Sequence, residues 1–181
     1  MQHVNFKIFV RNRVAPRFED AIPVFHRWIQ TQAVPELLVD VADYSHVPAG
    51  PGVVLVGYEA DYALDNARNQ PGLLYNRRAR SEAPPAETLR QAYEAARSAA
   101  ELLAAEPEFA SKLEFDYDTI ELTFNDRLLH PNSDAGWSEV EGDVHSFFDE
   151  VYGAGGYTLT RATDPRERLR VTVRRQAIRS N

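Results

Sequence analysis

The sequence predicts an α+β protein: a mixed, mostly antiparallel sheet of about six or seven strands with about three helices packed mainly on one face. Several segments place apolar residues at every second position, and others space them as a helix does. The order strand, loop, aromatic-rich helix, strand, strand also occurs twice. Residues 6–10 correspond to 120–124 and residues 22–29 to 140–148, in pattern and not in residue identity, which fits a duplicated β-α-β-β unit. The 181 residues suffice for a single globular domain spanning 1–181, with pseudo-halves 1–80 and 115–181 joined by a helix over 85–106.

Val4, Phe6, Ile8 and Val10 alternate with Asn5, Lys7 and Phe9, giving a first strand with one mainly buried face. A helix starts near Asp20, a natural N-cap, with Pro23 in the first turn, where no amide donor is needed. Phe18, Ile22, Phe25, Ile29 and Ala33 form its apolar stripe, and Pro35 closes it. A second strand carries Leu37, Val39 and Val41 on one face and Leu38, Asp40 and Ala42 on the other. The loop from Tyr44 to Gly52 is punctuated by Pro48, Gly50 and Pro51. Continuously apolar residues 53–56 predict a central strand covered on both faces. It runs on through Tyr58, Ala60, Tyr62 and Leu64 before a turn at 66–72 brings residues 73–76 back as a hairpin partner.

The helix over 85–106 is the clearest in the chain, with Leu89, Ala92, Tyr93, Ala96, Ala100 and Leu103 as its stripe and Pro107 as its stop. Ile120, Leu122 and Phe124 mark the next strand. A third helix, from Ser133 or Asp134, presents Trp137, Val140, Val144, Phe147 and Phe148 and ends at Gly153. Strands at 157–160 and 169–173 finish the chain, the last expected at a sheet edge.

Charge is segregated. Residues 1–80 sum to +1, residues 81–150 to −13 and residues 151–181 to +5, within a total of −7. So acidic a middle argues against nucleic acid as a partner, and the basic tail is expected to neutralise it within the chain or across a dimer. Eighteen of the 20 basic residues are arginine and two are lysine, a bias that genome coding explains without function. The absence of cysteine excludes disulfides, thiolate nucleophiles and zinc–cysteine sites. No apolar run nears the roughly 20 residues that span a bilayer. The first residues alternate like a strand and lack a signal peptide's plan, so the expected location is cytoplasmic, with no membrane association.

The sharpest candidate site is Asp40, Asp43 and His46, spaced D-x-x-D-x-x-H where a strand enters a loop. Two carboxylates and an imidazole can ligate a divalent metal or supply a general base with its orienting partner. They converge only if the strand bends near Ala42; otherwise Asp43 caps a turn and His46 is a loop residue. The row Glu59, Asp61 and Asp65 offers carboxylates to a cation, or else pairs across the hairpin with Arg77, Arg78 and Arg80. His26 flanks the first helix's stripe as a further binding candidate. The Gly153–Gly156 run leaves a helix and enters a strand, the wrong direction for a phosphate loop. No cofactor is predicted. The expected function is a non-enzymatic binding or assembly module that forms a homo-oligomer or meets a protein partner. The alternative is a small-molecule or divalent-metal-dependent enzyme centred on Asp40, Asp43 and His46.

Overall fold

The computed structural model describes residues 3–12 and 16–176. Its strands are β1 (Val4–Val10), β2 (Leu38–Tyr44), β3 (Gly52–Gly57), β4 (Ala60–Asp65), β5 (Gly72–Arg77), β6 (Phe115–Phe124), β7 (Tyr157–Arg161) and β8 (Arg170–Arg175). The helices are α1 (Ala21–Thr31), α2 (Pro85–Ala105) and α3 (Asp134–Tyr152). All eight strands form one sheet in the order β2-β3-β4-β5-β1-β6-β8-β7. Every neighbouring pair is antiparallel, so the sheet is not mixed. The α+β class with helices on one face holds.

The additional strand comes from residues 53–65. They form a hairpin, not one long strand, because the chain reverses at Tyr58-Glu59. Gly57 permits the reversal: a Cβ there would stand 2.3 Å from the Ala60 carbonyl oxygen. That turn lacks the Asn-Gly or Asp-Gly pair that announces a two-residue hairpin loop. Residues 53–56 are consequently not central. β3 lies one strand from the edge, with Val54 and Val56 half-buried on the helix-free face. The last strand is not an edge either, since β8 lies between β6 and β7.

The two halves meet at the central β1–β6 pair. β5 and β4 flank β1 as β8 and β7 flank β6, and β2–β3 extends the first half. The doubled strand–helix–strand–strand order is not reproduced in the sheet: β7 and β8 follow α3 and pair back to β6, whereas β2 and β3, which follow α1, lie at the far edge.

Parity divides the sheet. Val4, Phe6 and Ile8 of β1 join Ile120, Leu122 and Phe124 of β6 on the core side. α2 lies over β1 and β5 and against α3, while α1 covers β2. Phe6 is the centre of this layer, its ring 5.7 Å from those of both Tyr93 on α2 and Phe147 on α3. Such tilted aromatic pairs contribute about 0.5–1.5 kcal/mol each beyond their burial. α1 is tied to the end of α2 by Trp28, whose indole Nε1 donates to Glu106 Oε1 at 2.6 Å, and by Arg27, which pairs with Glu106 and Glu108. Ser133 caps α3, its Oγ accepting from the Gly136 amide at 3.1 Å. Among the described residues, no helix is long and apolar enough to cross a membrane.

The core holds several phenols. Burial pushes the pKa values of Tyr62, Tyr75, Tyr93 and Tyr152 above the ordinary range, and burial with a contribution from Asp149 raises Tyr157 to about 12. An unfolded tyrosine ionises near pH 10, about where the folded ones do not. Their stabilisation is therefore complete below about pH 10 and is lost as pH rises through the folded values. In an alkaline titration, the phenolate absorbance of the buried tyrosines should appear together with loss of the near-ultraviolet circular dichroism. Full phenolate absorbance with the tertiary signal intact would contradict this.

Candidate functional site

The predicted D-x-x-D-x-x-H residues do not converge. Asp40 lies opposite Val56 and Asp43 opposite Val53, an odd offset in unbroken register, so they occupy opposite faces of β2. Asp40 Oδ1 accepts from the next amide, that of Val41, at 2.8 Å. Asp43 Oδ1 accepts from the Ser45 amide at 2.8 Å, and bonding from Ser45, helped by nearby His46, holds its pKa below the carboxylate range. His46 follows in the exposed turn, and His26 is exposed on α1. Among the described residues, no group of three or more His, Asp and Glu side chains is arranged to hold a metal ion. Asp61 is bound into its hairpin, 3.1 Å from Arg78 Nε and 3.3 Å from Asn76 Nδ2.

Asp65 leaves that acidic row and belongs to another group, on the sheet face that carries no helix. Lys7, Glu121 and Thr123 sit side by side on this face of β1 and β6, with Leu74 and Asn76 on β5. Lys7 reaches across β5 to Asp65 on β4 and donates to its carboxylate. The route exists because residue 72 is glycine: a Cβ there would lie 2.9 Å from Lys7 Cε and 2.6 Å from the Ile8 carbonyl oxygen. Glu121, the cross-strand neighbour of Lys7, meets Arg68 Nη2 at 2.6 Å from both carboxylate oxygens and Arg170 Nη1 at 3.1 Å. Arg170 also pairs with Glu167 at 2.6 Å.

These charges are unusually deep for a face without a helix layer. Lys7 is 2%, Asp65 3% and Glu121 5% exposed. Two loops fold over them. The turn after β4 brings Ala67 and Arg68, with left-handed backbone at Arg68 and Asn69, and the loop before β8 brings Arg166, Glu167 and Arg168. Burial pulls the Lys7 pKa below its ordinary value, against the opposing pull of Asp65.

Together they enclose a cavity of about 500 Å³ with Asn5, Lys7, Asp65 and Glu121 in its lining and Arg127, Arg166 and Arg168 at its rim. Arg127 and Arg168 also line a neighbouring cavity at the end of the sheet, beside Asn125. There Asn125 Nδ2 donates to Asn5 Oδ1 at 2.5 Å and Asn76 Oδ1 at 2.8 Å, leaving its own Oδ1 buried without a partner. Arg166 pairs with Asp164 at 2.9 Å. Arg127 and Arg168 make no ion pair with any described residue.

Sequence reasoning missed this group because Lys7 and Glu121 alternate as solvent-facing strand residues do. One signal was present: Lys7 is one of only two lysines beside 18 arginines. Comparison with protein-family models, curated proteins and solved structures gives no significant match, leaving the chemistry of the site to carry the functional reading.

The Lys7–Asp65 pair makes a stability prediction. Removing one partner of a buried pair leaves an uncompensated charge and costs about 3–5 kcal/mol, whereas replacing both with apolar groups is often near neutral. Lys7→Met should therefore lose about that much in denaturant unfolding, and Lys7→Met with Asp65→Leu should recover most of it. A double variant as unstable as the sum of its single variants would exclude the pairing.

Proposed function

We propose that this chain is a binding module that holds a small molecule carrying phosphate or carboxylate groups on the helix-free face of its sheet. The observation that carries the reading is the imbalance of charge around the cavity. Lys7, Arg68, Arg127, Arg166, Arg168 and Arg170 line it, against Asp65, Glu121 and Glu167. The floor cations are paired with those acids, and Arg166 with Asp164. The guanidiniums of Arg127 and Arg168 are left at the mouth, where an anion accepts from planar, forked donors. Asn5, Asn76, Thr123 and the unpartnered Asn125 Oδ1 supply neutral polar contacts nearby.

Volume and charge favour a small ligand over a polyanion. A cavity of about 500 Å³ falls within the usual range for small-molecule sites. The two guanidiniums at the mouth without an ion pair, Arg127 and Arg168, are too few for the run of phosphates that a long nucleic acid presents. The fully paired floor supports binding over turnover, because Lys7 and Glu121 are already engaged.

Thermal denaturation with sodium pyrophosphate or citrate, at ionic strength matched with sodium chloride, tests this. At about 100 times its Kd a ligand adds about 2.7 kcal/mol, which raises Tm by roughly 5–10 °C in a chain of this size. Arg127→Met with Arg168→Met should abolish the rise and leave the Tm without ligand within about 2 °C, as expected of exposed side chains. No rise beyond matched chloride, or an equal rise in the double variant, would overturn the reading.

A further inference from the structure

We propose a second binding site, on the helix side of the sheet, for a small zwitterion with an apolar body: an α-amino acid bearing an aliphatic or aromatic side chain. The site is a cavity of about 450 Å³ between α2, the segment after α1 and the β4–β5 hairpin.

Its floor is Tyr62 and Tyr75, packed edge to face with ring centroids 5.2 Å apart. The Tyr62 hydroxyl donates to the Glu36 carboxylate. The Tyr75 phenol lies between opposite charges: after burial, the nearby Glu36 carboxylate raises its pKa while the Arg77 guanidinium lowers it. A carboxylate and a guanidinium therefore flank one phenol at the inner end of a mainly apolar cavity. Val34, Pro35, Ala95 and Leu102 form much of the remaining wall, and Glu94 stands on the α2 side.

The unfinished element is Arg77. Its Nε is shut off from solvent yet has no hydrogen-bond partner, and the guanidinium forms no ion pair with a described residue. The Arg77 guanidinium lines the cavity with no anion of its own, so an acceptor is expected at those of its nitrogens that face the cavity. A carboxylate offers that acceptor in the planar geometry that arginine binds best. The two glutamates decide the rest of the ligand. A simple carboxylic acid would face Glu36 and Glu94 without compensation, and a simple amine would face Arg77. An amino acid answers both, with its carboxylate on Arg77, its ammonium toward Glu36 and its side chain against Pro35 and Leu102. No residue lining this cavity lines the open-face cavity above Lys7. Although Arg77 also lines the neighbouring cavity beside Asn125, Arg127→Met with Arg168→Met leaves the lining here intact and so separates the two sites.

Isothermal titration calorimetry with L-phenylalanine and L-leucine tests the site on the wild-type chain. Phenethylamine and 3-phenylpropionate, which lack one charge each, serve as comparators. At least one of the two amino acids should bind, with each comparator about tenfold weaker or more against phenylalanine, because a site built for a polar group rejects analogues lacking it. Arg77→Met should weaken the amino acid by at least about tenfold while tyrosine near-ultraviolet dichroism is retained. The proposal is overturned if neither amino acid binds at millimolar concentration, or if a singly charged comparator binds as tightly. Unchanged affinity in a folded Arg77→Met variant also overturns it.

Discussion

The ion pair between Lys7 and Asp65 constrains more of this molecule than any other contact. It spans three strands, since Lys7 leaves β1, crosses β5 over Gly72 and ends on β4. A one-residue slip in either pairing would turn the lysine or the aspartate toward the helix side. A sheet with helices on one face normally leaves the other to water, and there an ion pair is worth little. Here the pair is deeply buried, so its partner, its path and its cover must all be correct together. Gly72 supplies the path. The cover comes from Arg68, whose turn adopts left-handed backbone and whose guanidinium reaches Glu121 on the far side of β1. Arg170 on β8 completes the closure from the opposite half. The fold thus uses a charged floor where a third structural layer would otherwise sit.

That charged floor also explains the limits of reading the sequence. Alternation predicted which residues of β1 and β6 face the helices, because that side obeys the rule that apolar residues turn inward. The other side obeys no such rule. Lys7 and Glu121 resemble solvent-facing residues, and only loops distant in sequence bury them. The hairpin at Tyr58-Glu59 was hidden for a local reason: its single glycine, Gly57, precedes the turn rather than occupying it. Asp40, Asp43 and His46 looked like a site because their spacing was compact. Strand parity then separates the two aspartates, and β2 makes no bend at Ala42 to reunite them.

Charge segregation along the chain becomes a difference between the two layers. Much of the acidic block lies on α2 and α3, while arginines gather on the helix-free face. Three tail arginines do pair with that block inside the chain: Arg161 with Asp134, Arg170 with Glu121, and Arg175 with Asp118. Arg168 and Arg127 do not. Neutralisation within the chain is therefore selective, and the described cations it leaves without an ion pair include Arg127 and Arg168 beside a cavity. A negative protein can attract an anion when its positive charges are focused at a cleft and its negative charges lie on the opposite surface.

β5 gives the two proposed sites a common physical basis. Its side chains alternate, with Leu74 and Asn76 toward the helix-free face and Tyr75 and Arg77 toward the helices. One strand therefore serves a polar, cationic cavity with one parity and an aromatic, partly acidic cavity with the other. Period two separates most of the two linings; of these four side chains Arg77 alone lines two cavities, the one beside Asn125 as well as the aromatic one. The same strand lies between β4 and β1, where the Lys7–Asp65 pair crosses it at Gly72. Its position is thus fixed by an interaction that belongs to neither ligand's contacts. A strand held in this way can present two unlike faces without either depending on its own ligand for order, which is the preorganisation that small-molecule recognition requires.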